Sequence, residues 1–202
     1  MKNRGLLLVV SGPAGAGKGT ISSAYLQRNP NVHLSISATT RRPRAMEQDG
    51  VHYYFLEKQK FEQMIAENQF IEWAQFCDHY YGTPRAKVEE KLAAGQDVLL
   101  EIEVQGAMQV KKQFSEAVLI FILPPSMKEL RNRIIGRGTE TMDVIEKRMT
   151  RAAEEVQLAR QYDYFVLNDT VAQAVIRLES IVQAEKNKVS RNLSLLKEVC
   201  EQ

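Results

Sequence analysis

An α/β fold, with a parallel sheet covered by helices on both faces, is what this sequence predicts. Two observations carry the prediction. Apolar runs at Leu6–Val10, Val98–Val104, Val118–Leu123 and Tyr164–Leu167 alternate with segments of helical pattern. The first run feeds directly into a glycine-rich turn, a lysine and a helix, in the stretch LLLVVSGPAGAGKGT, Leu6–Thr20.

The elements follow in order. After the glycine turn, Ile21–Leu26 continues as a helix. Pro84–Ala94 reads as a helix with proline at its start and Gly95 just past its end. Gln105–Phe114 and Ser126–Ile135 are further helices, and Ser126 with Glu129 makes a capping box. A long helix runs from about Met142 to Gln161. A last one, about Thr170 to Gln183 or beyond, carries Val171, Val175, Leu178 and Val182 on one side. The charged tail after Ala184 is expected to extend into solvent. One block breaks the alternation. From about Ser35 to Tyr81 the chain is rich in Arg, Tyr, Thr and acids, with short strand patterns at Tyr53–Phe55 and Phe70–Phe76. It reads as an insertion, and function often resides in such a block.

Composition narrows the partners. The chain has 202 residues, 44% hydrophobic and 26% charged, which suits one domain. Its net charge of +2 argues for neither a nucleic-acid nor a membrane partner. No 18-residue apolar stretch is present, so no transmembrane helix is expected. Lys2 and Arg4 before LLLVV imitate a signal peptide, but that five-residue run is shorter than the roughly 7–15 a signal needs. Cys77 and Cys200 are far apart and read as reduced thiols, which points to the cytoplasm. His33, His52 and His79 are scattered and form no metal-binding spacing.

The opening stretch has the order of parts that grips phosphates. Loop N–H groups form an anion hollow, and the following helix aims its positive end at it. Gly12, Gly15 and Gly17 supply the backbone freedom, and Lys18 adds a mobile cation. Against the pattern G-x-x-x-x-G-K-[ST], Gly19 stands where a hydroxyl is expected and Thr20 follows it. The missing hydroxyl leaves Mg²⁺ to Thr20, to waters or to acids elsewhere. The string G-x-x-x-x-G-K arises by chance in roughly one chain in twenty of this length, so its strand and helix context decides the reading.

Three further clusters carry chemistry. SISATTRRPR, Ser35–Arg44, concentrates arginines beside hydroxyls and reads either as a phosphate grip or as a solvated basic turn. Tyr53, Tyr80 and Tyr81 fit core aromatics or phosphate donors. Alternation places Glu72 on the face of Phe70, Ala74 and Phe76, where it needs a partner or an edge open to water. Glu101 and Glu103 end the run Val98–Val104, where ligands of parallel sheets bind. They suit Mg²⁺ or a base, or are solvent-facing acids. Arg131, Arg133, Arg137 and Arg148 form the last cluster. Arg137 lies between Gly136 and Gly138 on a potential flap, and Arg131 reads as helix surface.

Together the strings SGPAGAGKGT, SISATTRRPR, QFIEWAQF, YYGTP, EIEVQG, ILPPS, GRGTET and VLND resemble guanylate kinase, over about Gly5 to Asp169. The resemblance implies a P-loop nucleoside-monophosphate-kinase fold. Its core would span about 1–34, 84–136 and 152–202, with a GMP-binding insertion at about 35–83 and a lid at about 137–151. It implies transfer of the γ-phosphoryl group of ATP to GMP, and also to dGMP, with Mg²⁺ as cofactor. The loop residues Gly12, Pro13, Ala14, Gly15, Ala16, Gly17, Lys18, Gly19 and Thr20 would bind ATP, with Asn168 near the adenine. Arg41, Arg44, Tyr53 and Tyr81 would hold the GMP phosphate. Ser37, Glu72, Thr83 and Glu103 would read guanine. Lys18, Arg41, Arg133, Arg137 and Arg148 would serve the transfer, and Glu101 and Thr20 would meet the metal. Two other readings remain: a phosphopeptide-binding module of guanylate-kinase type, and a kinase for another nucleoside monophosphate. Oligomeric state is not legible.

Overall fold

The computed structural model describes residues 4–76, 78–136 and 141–201. Its main sheet has five strands in the order β2-β7-β1-β8-β9. These are β1 (Leu7–Ser11), β2 (His33–Leu34), β7 (Val98–Glu101), β8 (Val118–Leu123) and β9 (Tyr164–Leu167), and every pairing among them is parallel. A second sheet of four strands, in the order β4-β3-β6-β5, lies within the insertion: β3 (Ala38–Thr39), β4 (Tyr54–Phe55), β5 (Phe70–Phe76) and β6 (His79–Pro84).

The central position of β1 follows from its residues. Leu6, Leu8 and Val10 pack on one face with Ile21 and Tyr25 of α1 (Lys18–Arg28) and with Val175, Leu178 and Val182 of α7 (Val171–Lys186). Leu7 and Val9 pack on the other with Val88 and Leu92 of α3 (Arg85–Ala93) and Ala107 and Val110 of α4 (Val104–Gln113). A period of two with both faces apolar is the signature of a strand buried on both sides. A separate cluster of Leu130, Ile134, Ile145 and Ala152 joins α5 (Met127–Ile135) to α6 (Met142–Leu158).

Several expectations need correction. The run Val98–Val104 leaves the sheet at Glu101, because Glu103 adopts the extended N-cap of α4 and its carbonyl accepts the Ala107 N–H at 3.1 Å. Glu103 therefore begins a helix rather than ending a strand. The long helix stops at Leu158, and Ala159–Gln161 is a 3-10 turn. The short strands β2 and β3, the helix α2 (Lys58–Ala66) and the strand β6 were not anticipated. The charged tail folds: α7 runs to Lys186, and α8 (Leu193–Cys200) follows a 3-10 turn at Val189–Arg191. Arg191 ties that turn down by donating to the Glu116 carbonyl at 2.8 Å. Simple alternation also fails in β5, where the register shifts between Phe70 and Glu72 and Phe70, Ile71 and Glu72 are all buried. A bulge sends Phe70 into the small core of the insertion and leaves Glu72 facing elsewhere. The Phe76 side chain and the expected flap at 137–140 lie outside the described residues.

Other readings hold in detail. Pro84 caps α3 and Gly95 takes the left-handed conformation beyond it. Ser126 accepts the Glu129 N–H at 3.1 Å, as a capping box requires, while the Glu129 carboxylate serves Arg133 at 3.0 Å.

The insertion keeps its own small core on Phe61, which is fully buried and stacks between Phe70 at 4.3 Å and Tyr80 at 5.4 Å. Phe61→Ala is expected to lower stability by about 3–5 kcal/mol in urea denaturation, the usual cost of emptying a buried phenylalanine site. A loss well below about 1 kcal/mol, the size of a typical surface effect, would mean that the insertion does not depend on this stack.

Candidate functional site

The strand ends of the main sheet deliver one half of the site. Between β1 and α1 the chain turns tightly, with the Ala16 N–H bonded to the Pro13 carbonyl at 3.0 Å. Gly17 opens α1 at φ 96°, and no side chain caps the helix. A Cβ at Gly17 would lie 2.3 Å from Asn168 Nδ2, so both conformation and space demand glycine here. The first-turn N–H groups of α1 thus face the loop with a positive dipole end and no capping side chain. Lys18 Nζ folds back onto the Gly12 carbonyl at 2.5 Å. Asn168, after β9, is buried and donates to the Ala16 carbonyl at 2.7 Å. It braces the loop from beneath, and its own carbonyl accepts Arg133 Nη2 at 3.2 Å.

Glu101 ends β7 beside the loop. A Cβ on Gly19 would stand 3.5 Å from its Oε1. Although Glu101 is exposed overall, partial desolvation beside the loop pushes its carboxyl up, with Lys18 and the Ser22 hydroxyl pulling it back. Thr20 is exposed on the first turn of α1. Glu103 is exposed at the α4 N-cap, 3.7 Å from Arg151 Nη2 of α6.

The insertion supplies the other half. Arg41 pairs with Glu47 at 2.8 Å, donates to the Arg42 carbonyl at 2.8 Å and lies 5.5 Å from the Tyr53 ring centre. Glu47 also accepts the Arg44 N–H at 2.8 Å. Its hydrogen bond to Arg41, then the Arg44 N–H, holds its carboxyl down at about 2. Tyr53 and Tyr81 meet edge to face at 6.1 Å. Burial and the neighbouring Tyr81 push the Tyr53 hydroxyl up.

Two residues along β6 from Tyr81, Thr83 donates its hydroxyl to Glu72 Oε1 at 2.6 Å, and both side chains are buried. Glu72 therefore has the partner that its burial requires. Gly106 of α4 lies so close that a Cβ there would be 2.7 Å from Glu72 Oε2. Ala38 of β3 pairs with Gly82, so one further step of that antiparallel register sets Ser37 beside Thr83.

Arg133 on α5 and Arg148 on α6 stand on the helices that flank the loop side, and Arg148 is half-buried. Arg137 lies outside the described residues. Arg131 pairs with Glu146 on the surface, as expected of helix exterior.

Residues missed in the sequence include Glu47, Gly106 and Glu155. Glu47 follows Arg44 by three residues, a turn spacing that was available as a signal. Glu155 falls on the apolar stripe of α6 with Ile145 and Ala152, is 8% exposed and pairs with Arg151 at 2.8 Å. An acid at an apolar-stripe position was its signal.

The arrangement brings an anion-binding loop, a cation and aromatic cluster and a buried carboxylate onto one molecule. The family model described as Guanylate kinase matches residues 4–185. The chain is 55% identical over 193 residues to the guanylate kinase of Clostridioides difficile, covering 96% of this chain and 94% of that one. It is 53% identical to that of Desulfitobacterium hafniense, covering 94% and 95%. The crystal structure of guanylate kinase from Anaplasma phagocytophilum superposes with a TM-score of 0.78 at 33% identity, covering 98% of this chain and 95% of that one.

Burial raises the Glu72 carboxyl from its ordinary 4.5, against the pull of Thr83. The folded state then binds this proton more tightly than the unfolded state, so the group's contribution to stability falls as pH rises from about 4.5 through the raised value. Glu72→Gln is accordingly expected to stabilise the ligand-free protein at pH 8, with the gain shrinking toward pH 4. Urea midpoints at the two pH values check this, and a less stable variant at pH 8 would show that the ionised carboxylate is better partnered than its burial indicates.

Proposed function

We propose, from the premise that this chain belongs to the guanylate kinase family, that its two half-sites hold ATP and GMP. The chain transfers the γ-phosphoryl group of ATP to GMP, giving ADP and GDP. The observation that carries the assignment is on β6. Tyr81 and Thr83 are two residues apart on one strand, so they share a face about 7 Å apart. One position joins the Arg41 and Tyr53 cluster, and the other holds the buried Glu72. That is a phosphate grip and a base reader on one surface, at a separation that a mononucleotide bridges.

The chemistry of the groups supplies the roles. The Glu72 carboxylate accepts N1–H and N2–H of guanine, whereas adenine offers no donor at N1. Thr83 fixes its orientation, and Ser37 and Glu103 complete the base pocket. Arg41, Arg44, Tyr53 and Tyr81 hold the GMP phosphate. Glu47 holds the Arg41 guanidinium in place until the phosphate competes for it. On the donor side, residues Gly12 to Thr20 cradle the ATP phosphates, and Lys18 exchanges the Gly12 carbonyl for phosphate oxygens. Asn168 braces the loop that the nucleotide occupies.

Transfer needs little covalent work from the protein. The attacking GMP phosphate oxygen is already ionised, so no general base is required. It forms a bond to the γ-phosphorus as the bond to the β,γ-bridging oxygen breaks, and ADP leaves with that oxygen. Lys18, Arg133 and Arg148 neutralise the charge, and Arg137 joins them from the flap. The insertion, about 35–83, and the lid, about 137–151, close over the substrates and exclude water.

The donors at the loop fit Mg²⁺. They are hard oxygens, with the Glu101 carboxylate beside Gly19 and the Thr20 hydroxyl on the same helical turn. Mg²⁺ usually takes one or two carboxylates, waters and substrate phosphates rather than a full protein cage. When bound, the metal offsets charge on the β- and γ-phosphates. Among the described residues no helix is long and apolar enough to cross a membrane. We place the enzyme in the cytoplasm, acting on small nucleotides.

A coupled assay of ADP release with ATP and GMP, AMP or IMP tests the reaction. GMP is expected to be the preferred acceptor, and a preference for AMP would assign the chain to another nucleotide. Lys18→Ala is expected to abolish measurable ATP binding. Wild-type protein that binds no ATP would instead support a phosphopeptide-binding module. Glu72→Gln is expected to raise KM for GMP tenfold or more while leaving KM for ATP unchanged, because a site built to accept substrate N–H groups discriminates by roughly 10⁴ or more.

A further inference from the structure

The backbone around Glu72 is held by something other than its own sheet. β5 is an edge strand, so one side of its main chain has no neighbouring strand. Its register with β6 also shifts between Phe70 and Glu72, which weakens the ladder at the very residue that faces the base. Helix α4 lies along this open side. Gln109 Oε1 accepts the Trp73 N–H at 3.1 Å, and Gln109 Nε2 donates to the Trp73 carbonyl at 3.0 Å. Gln113 Nε2 donates to the Ile71 carbonyl at 2.7 Å. The Gln113 oxygen is engaged by Arg85, which also donates to the Phe70 carbonyl at 3.3 Å.

The spacing makes this one device. Gly106, Gln109 and Gln113 are three and four residues apart and so share one face of α4. They meet three consecutive residues of β5: Gln113 meets Ile71, Gly106 meets Glu72 and Gln109 meets Trp73. One primary amide reproduces both hydrogen bonds that an adjacent strand would give to Trp73. The glycine lets the helix approach until the Glu72 carboxylate is confined between α4 and Thr83.

We propose that Gln109, supported by Gln113, is a specificity-positioning residue. Gln109 fixes the main chain at Trp73 and Gln113 fixes it at Ile71, so that between them the Glu72 carboxylate stays aligned with N1–H and N2–H of guanine together. This rests on the reading of Glu72 as the base reader. A bidentate acceptor tolerates little displacement: a shift that keeps one N–H contact loses the other. The loss falls on the discrimination between GMP and IMP, because hypoxanthine keeps N1–H and lacks the exocyclic amine.

The ratio of kcat/KM for GMP to that for IMP tests the proposal in wild type, Gln109→Ala, Gln109→Glu and Glu72→Gln. The ratio does not depend on how much of a variant folds, since both substrates meet the same enzyme. Gln109→Ala is expected to lower it roughly tenfold, chiefly through KM for GMP with KM for ATP unchanged, because a misplacement of about 1 Å in a site costs up to about 100-fold. Gln109→Glu keeps the acceptor for the Trp73 N–H but sets an oxygen against the Trp73 carbonyl, and is expected to fall at least as far. If Glu72→Gln collapses the ratio while both Gln109 variants keep it, the positioning role is wrong and the base reader stands. If Glu72→Gln itself leaves the ratio unchanged, the base reading fails and the positioning role falls with it.

Discussion

The parallel direction of the main sheet is the constraint on which the rest of the molecule depends. Because all five strands run the same way, their carboxyl ends finish along one edge. β1 ends in the phosphate loop, β7 in Glu101, and β9 in Asn168. β8 leads to Ser126 and the helix bearing Arg133. The apolar side chains of β1 on both faces keep it central, so the loop lies between the other contributors. The opposite edge carries a cleft of about 740 Å³. Its charges close on one another, Lys111 with Asp163, Lys186 with Asp97 and Lys188 with Glu185. That edge closes the fold, and the chemistry gathers on the other.

The acceptor half works by a different principle. It places a carboxylate where water is largely excluded and accepts the desolvation this costs, which shows as a raised Glu72 carboxyl. Such a group is useful only if its geometry is held. Thr83 holds it from within the small sheet, and α4 holds it from the core. Helix α4 therefore belongs to both halves. Its N-cap is Glu103, its apolar face seals β1 and β7, and its polar face grips β5.

Ionic contacts elsewhere are local and modest. Arg131 with Glu146 and Arg177 with Asp169 lie on the surface, where water and salt screen such pairs. The Arg41–Glu47 pair differs in consequence rather than in strength. It holds the Arg41 guanidinium beside the Tyr53 ring.

Much of this protein was legible in the sequence because the signals are local. Leu6–Val10, the glycine loop, Pro84 with Gly95, and the Ser126 cap each depend on neighbours within a few residues, and each forms nearly where the residues indicate. The family strings identified the two substrates for the same reason: they are contiguous. Two of the short strands were not legible: β2 and β3 are two residues long, and β6 begins in a polar tyrosine-rich string that pairs with both β5 and the remote β3. The bulge between Phe70 and Glu72 broke the alternation argument for Phe70, since a register shift is a property of the pairing with β6 and leaves no mark in the pattern of β5 alone. Glu103 was misplaced because a helix N-cap and a strand end are both extended backbone, and only the partner of the next N–H separates them. The sequence alone thus determined the groups at hand: a glycine-rich loop with its lysine, a set of arginines, and a carboxylate that the family strings mark for the base. Tertiary structure alone decided which helix holds that carboxylate in place, because the hydrogen bonds of Gln109 and Gln113 join positions 36 and 42 residues apart and leave no local trace.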